Sequence, residues 1–137
     1  MTDSGGCCAV PSGTCPVHVC MVDDEPTNRK LVTMVLNLAD ISIKACPLGW
    51  PAHQCIRTTL PKVILLDVQM PDVDGIQLFT LLRSDSVTRD IPVIFLTASP
   101  ATVYSQVPNY QELGATLLPK PFSVDDLLGL VRTAIAM

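Results

Sequence analysis

Residues 63–75 read Val63-Ile64-Leu65-Leu66-Asp67-Val68-Gln69-Met70-Pro71-Asp72-Val73-Asp74-Gly75. Four apolar residues run unbroken into a carboxylate, and a loop with Pro71, two further acids and Gly75 follows. A continuous apolar run bounded by turn residues suits a strand covered on both faces, as in a parallel sheet. Asp67 then stands at the carboxyl end of the strand, where open α/β sheets carry their chemistry. An acid at that place can hold a metal, act as a nucleophile or cap the next helix. This stretch alone does not choose among the three.

The same pattern recurs on both sides of it. Val17–Val22 is a short apolar run, interrupted by His18, that ends in Asp23-Asp24-Glu25. Pro26 suits the first turn of a helix, and Asp24 or Glu25 suits its cap. Over Thr27–Leu38 the spacing predicts a helix with Leu31, Val35 and Leu38 on its inner face, widened by Val32, Met34 and Leu36. Ile41–Cys46 alternates, and its Lys44 fits an edge strand. A loop over Pro47–Pro51 leads to a short helix at Ala52–Leu60, stopped by Pro61.

Beyond the central strand, taken as Lys62–Asp67, a helix opens at Gly75. Ile76, Phe79, Leu81 and Leu82 form its stripe, and it ends near Arg83. Ile91–Leu96 is a further buried strand, followed by Thr97-Ala98-Ser99. Residues 100–113 have a helical rhythm, but Pro108 removes a backbone donor and must shorten any helix there. Ala115–Leu118 is the last strand, followed by Lys120. Ser123 caps a final helix with Asp125 and Asp126 in its first turn, where the dipole favours acids. Leu127, Leu128, Val131 and Ile135 supply its buried face.

Strand and helix thus alternate five times, which predicts an α/β domain: a doubly wound parallel sheet with right-handed crossovers, in the flavodoxin-like order 2-1-3-4-5. That order brings Asp23 and Asp24 (first strand), Asp67 (third), Thr97 (fourth) and Lys120 (fifth) to one rim. Three carboxylates side by side repel one another and call for a counter-cation. Mg²⁺ binds through few protein carboxylates, several waters and a phosphoryl oxygen. A hydroxyl and an ammonium opposite would hold the remaining phosphoryl oxygens, which is what phosphoryl transfer requires. Coincidence of five such residues at four strand ends is a far more specific signal than one aspartate.

Bulk properties narrow the field. A chain of 137 residues suits one domain, with 48% hydrophobic and 16% charged residues, a composition that argues against disorder. Net charge is −4 and no basic run exceeds Arg29-Lys30, so direct nucleic-acid binding is not expected. No apolar run reaches the ~18 residues of a membrane span, and no basic, then apolar secretory leader is visible. Residues 1–16 lack periodicity and read as a disordered leader or an expression remnant, leaving 17–137 as the domain. The six cysteines, Cys7, Cys8, Cys15, Cys20, Cys46 and Cys55, form no C-x-x-C pair and read as ordinary reduced thiols in a cytosolic protein. Cys20 lies in an apolar run and reads as a small core residue.

The pieces VDDEPTNRKL, VILLDVQMPDVDG, FLTAS and LPKPF resemble the receiver domains of two-component response regulators over about residues 17–136. The resemblance implies a cytoplasmic signalling domain, not a free-standing enzyme, that takes a phosphoryl group from a phosphohistidine on a sensor histidine kinase or a histidine phosphotransfer protein. It implies Asp67 as acceptor, and Mg²⁺ held by Asp24 directly, by Asp23 mostly through water, by Asp67 and by the backbone carbonyl of Gln69. Thr97 and Lys120 would then engage the phosphoryl oxygens, before a cis Lys120–Pro121 peptide. Gln69 and Ser99 would tune the phosphoryl lifetime. The output domain or target is not specified, and a phosphorylation-dependent dimer is compatible with the resemblance.

Leu117 departs from the pattern, standing where receivers usually carry an aromatic, and two prolines fall in the fourth helical region. Tyr104 and Tyr110 sit in that segment and read as surface or packing residues. The chain fits a stand-alone receiver or a piece of a longer regulator or hybrid kinase. The main alternative is a phosphorylation-poor interaction receiver within such a protein. A phosphohydrolase would want an acid at position 69, and a flavin module a phosphate loop where Asp23-Asp24-Glu25-Pro26 would repel it.

Overall fold

The computed structural model describes residues 17–46, 51–68 and 75–136. The leader, most of the loop after residue 46, and Gln69 with the acids that follow it lie outside the described residues. Five strands, β1 (Val19–Val22), β2 (Ile43–Ala45), β3 (Val63–Asp67), β4 (Val93–Thr97) and β5 (Ala115–Pro119), alternate with helices α1 (Pro26–Leu38), α2 (Pro51–Thr59), α3 (Gly75–Ser84), α4 (Pro100–Gln106) and α5 (Val124–Ala136). The sheet is parallel throughout, in the order β2-β1-β3-β4-β5. Expected topology and observed topology coincide.

Every residue of β1, β3 and β4 is buried, because helices cover both faces, and this is why those strands show no polar alternation. One face packs Ile64, Leu66, Phe79, Phe95, Ala52 and Ile56 together with α2 and α3. The other packs Val19, Met21, Leu65, Leu96, Val32, Leu36, Leu127 and Val131 together with α1 and α5. Burying one such large apolar side chain stabilises the fold by about 1.5–3 kcal/mol. Phe79 and Phe95 meet edge-on, with ring centroids 4.8 Å apart, an arrangement that aligns the positive edge of one ring with the negative face of the other.

α1 turns a different face inward from the one its spacing suggested. Val32, Val35 and Leu36 are buried, whereas Leu31, Met34 and Leu38 are exposed. The helix is apolar over a broad arc, so its own periodicity cannot choose the docking stripe. The packing partners, Val19, Leu65 and Val131 among them, make that choice. The cap is one of the two residues expected. Glu25 is the N-cap but makes no side-chain cap bond, and the Asp23 Oδ1 atom accepts the Glu25 N–H instead, at 2.8 Å. At α5 the expected cap is present, with Ser123 Oγ accepting the Asp126 N–H at 3.1 Å. α4 ends at Gln106, two residues before Pro108, as the missing donor requires.

At the rim opposite the acids, Arg83 Nε and Nη2 donate to the carbonyls of Leu113 (2.6 Å) and Ile91 (2.8 Å), and the guanidinium lies over the Phe79 ring. A second clasp ties α2 to the turn after α3. His53 Nε2 lies 2.8 Å and Arg57 Nε 2.7 Å from Asp85 Oδ2, and the Val87 N–H donates to Asp85 Oδ1 at 3.0 Å. The Val87 bond, aided by His53 and the charge of Arg57 and opposed by partial desolvation, holds the Asp85 carboxyl below its ordinary range. A carboxylate depressed in the folded state contributes stability above its unfolded pKa and loses it as pH falls through the folded value. Asp85→Ala should therefore lower the thermal midpoint at neutral pH. Its deficit against the parent protein should close in acid, as followed by circular dichroism across pH.

Candidate functional site

All described candidate residues come to the carboxyl rim of the sheet. β1 delivers Asp23 and Asp24 just past Val22, β3 ends on Asp67, and β4 ends on Thr97. β5 hands the chain to Lys120, whose N–H donates to the Thr97 carbonyl at 2.7 Å. That bond holds Lys120 beside the end of β4, while the β3–β4 register pairs Asp67 with Leu96. The Lys120–Pro121 peptide is cis.

Asp23, Asp67 and Thr97 are buried and Asp24 is half-buried. Each of the three acids offers a carboxylate oxygen within 4.8 Å of the others. The Lys120 ammonium stands 3.6 Å from Asp23 Oδ2 and 3.7 Å from Asp67 Oδ2. Lys120 thus faces two of three clustered carboxylates in a partly dehydrated place, where like charges interact strongly. A cleft of about 390 Å³ opens above, lined by Asp24, Glu25, Pro26, Asp67, Ala98 and Lys120. An all-oxygen donor set of this kind fits a hard divalent cation. Asp23 already engages the Glu25 N–H through Oδ1 and faces Lys120 through Oδ2. Asp24 is the acid of the pair that lines the cleft.

Thr97 Oγ1 accepts the Ser99 N–H at 2.8 Å. A hydroxyl that accepts through its lone pair keeps its own proton to donate. The Gln69 carbonyl lies outside the described residues, so its role stays an expectation.

Two residues with no signal in the sequence, and a third whose spacing was visible, support the site. Arg29 Nη1 donates to the Asp23 carbonyl at 2.8 Å, and Asn28 Nδ2 lies 3.5 Å from Asp23 Oδ2. Both stand on the first turns of α1, where a polar pair normally means only a solvated face. Gly75 is the third. A Cβ there would meet the Asp67 carbonyl oxygen at 2.2 Å and the Val68 Cα at 2.7 Å, while the Gly75 N–H donates to the Val68 carbonyl at 2.9 Å. Its conjunction with Asp67 was visible as spacing, but it reads equally as a helix opener.

The family model for the response regulator receiver domain matches residues 19–132. The chain belongs to that family. It is 34% identical over 122 residues to the response regulator Rre1 of Synechocystis, covering 88% of this chain and 52% of that protein. The chain thus spans about half the length of the curated relatives it matches. A response regulator structure from Chloroflexus aurantiacus superposes with a TM-score of 0.77 at 29% identity, covering 89% of this chain and 99% of that one. The receiver domain of a Pseudomonas aeruginosa sensor histidine kinase, described with a magnesium ion coordinated in its active-site cleft, superposes with the same TM-score of 0.77 at 23% identity, covering 88% and 98%. At that identity it shows the shared fold.

The Gly75 contact is testable. Gly75→Ala should destabilise the domain by about 1–3 kcal/mol through overpacking against the end of β3, since helix propensity returns at most about 1 kcal/mol. It should also weaken divalent-ion affinity, because the displaced main chain carries Asp67. Urea unfolding and calorimetric Mg²⁺ titration measure the two effects, and a variant matching the parent protein in both would show that the close approach is relieved without consequence.

Proposed function

We propose that this receiver domain takes a phosphoryl group from a phosphohistidine of a sensor histidine kinase or phosphotransfer protein onto Asp67. The observation that carries the reading is the meeting of three carboxylates, a buried hydroxyl and one ammonium at a single rim. In the transfer, an Asp67 carboxylate oxygen bonds to phosphorus as the bond from phosphorus to the donor imidazole breaks. Catalysis of such a transfer rests on positioning and charge neutralisation more than on covalent chemistry.

Asp23, Asp24 and Asp67, with the Gln69 carbonyl, would hold Mg²⁺, which offsets the charge of the phosphoryl oxygens. The magnesium described in the Pseudomonas relative accords with that assignment. Lys120, already within 4 Å of Asp67, pairs with the new charge. Thr97 donates its hydroxyl proton to a phosphoryl oxygen and draws Ala98 and Ser99 with it. An aspartyl phosphate adds charge and acceptor oxygens next to a loop that leads directly into α4, so the surface of α4, β5 and α5 is the face that switches. Leu117 is only partly buried against the core. Leucine carries no ring, so coupling through an inward-swinging aromatic is not available at that position, and we assign transmission of the Thr97 movement to α4. Slow autodephosphorylation returns the domain to rest. The domain acts in the cytoplasm, within or beside a longer regulator.

With Mg²⁺ and acetyl phosphate the protein should gain one acid-stable, base-labile phosphoryl group, read by intact mass. Asp67→Asn should abolish it, and unchanged labelling of that variant would remove Asp67 as acceptor. Lys120→Ala should keep the fold but lose the spectral change that a phosphoryl mimic produces in the parent protein. An equal response in both would take that role from Lys120.

A further inference from the structure

The two acids that follow β1 are held in different ways. Asp23 is wholly buried, and each of its oxygens has a partner. Oδ1 takes the Glu25 N–H at 2.8 Å, Oδ2 faces Lys120 Nζ at 3.6 Å and Asn28 Nδ2 at 3.5 Å, and the main-chain carbonyl takes Arg29 Nη1 at 2.8 Å. Among the described residues the Asp24 carboxylate has no hydrogen-bond or ion-pair partner, yet it is the acid of the pair that lines the cleft. Its direction is left to its main chain. Two peptide groups flank the Asp24 α-carbon: the one behind carries the Asp23 carbonyl, and the one ahead carries the Glu25 N–H. Asp23 Oδ1 fixes the group ahead, and Arg29 fixes the group behind.

The backbone offers no substitute for Arg29 there. The ladder of β1 ends one residue earlier, with Val22 opposite Leu66 and Met21 opposite Ala45. A tight turn would return the N–H of residue 26 to the Asp23 carbonyl, but residue 26 is a proline and has no N–H. The hydrogen bonds of α1 begin beyond that point, with the Arg29 N–H on the Glu25 carbonyl at 3.1 Å. The main chain of Arg29 is thus fixed in the first turns of the helix, and its side chain reaches back to a buried carbonyl that the sheet and the helix both leave open.

We propose that Arg29 is a positioning residue for divalent-cation binding: by gripping the Asp23–Asp24 peptide it aims the Asp24 carboxylate into the cleft and sets the affinity for Mg²⁺. The inference rests on the phosphoryl-transfer reading above, which supplies the need for the ion. Arg29 touches neither substrate nor metal in this role. Its charge and its hydrogen bond act in opposite directions. A guanidinium near the acids opposes a second cation, whereas a fixed peptide spares the ion the ordering of its ligand. The sign of the change on substitution therefore tells which of the two governs.

The test is calorimetric Mg²⁺ titration of the full chain, beside urea unfolding and acetyl phosphate labelling at graded Mg²⁺. Losing a partner that orients a metal ligand costs about tenfold or more in affinity, and loss of the opposing charge returns part of that. Arg29→Met, which keeps the apolar stem and removes the donor, should bind Mg²⁺ about three- to tenfold more weakly. The Mg²⁺ concentration for half-maximal labelling should rise in step, with the parent rate reached at saturation. Arg29→Gln, whose amide sits where arginine has Nε and falls short of the carbonyl, should show the same loss and serves if the methionine variant does not fold. Arg29→Lys, with a donor on a long stem, should recover most of the affinity. Affinity in the methionine or glutamine variant equal to or tighter than the parent's, even with a lowered urea midpoint, would overturn the assignment, as would a lysine variant no better than methionine. If the parent protein is labelled on Asp67 and affinity is unmoved, this inference fails alone. A parent protein that binds no Mg²⁺ would sink it together with the reading beneath it.

Discussion

Repulsion among Asp23, Asp24 and Asp67 is the constraint to which the rest of this molecule answers. Their oxygens sit within 4.8 Å of one another, with Lys120 reaching two of them at 3.6 and 3.7 Å. Nothing favours gathering carboxylates at a half-dry rim for its own sake, since desolvation and like charge both oppose it. The fold can hold them there because each is anchored by the apolar strand behind it. The acids are the final turns of chains whose preceding residues are wholly buried. Hydrophobic burial thus holds in place a cluster that electrostatics alone would scatter, and the cluster so held could bind a metal ion.

Parallel strands make this arrangement economical. Each crossover returns the chain so that every strand ends on the same rim, and one polar residue placed after each apolar run is automatically near the others. Lys120 illustrates how little extra is needed. A single main-chain bond to the Thr97 carbonyl sets the depth at which its ammonium can swing between two carboxylates. Gly75 does the same from below, admitting the start of α3 directly against the main chain of Asp67.

Much of this was legible in the residues. Apolar runs broken by Asp23, Asp67, Thr97 and Lys120 marked strand ends without ambiguity, and strict alternation of strand and helix left few sheet orders open. What escaped was whatever depends on a choice among equivalent local options. α1 is apolar on more than one side, so Leu31 and Leu38 looked as good a core face as Val32 and Leu36, and only the neighbours in space decide. Arg29 reaches back to the Asp23 carbonyl through a long flexible side chain that leaves no periodic trace.

Arg83 gathers the loops at the far end of the molecule by their carbonyls, a full strand length from the acids. Anchorage and chemistry therefore occupy opposite poles. Mutations that harden or loosen the molecule near Arg83 can accumulate without passing through the signalling apparatus. A lineage could adapt such a chain to a hotter or colder habitat while the geometry of the acidic rim stays the same.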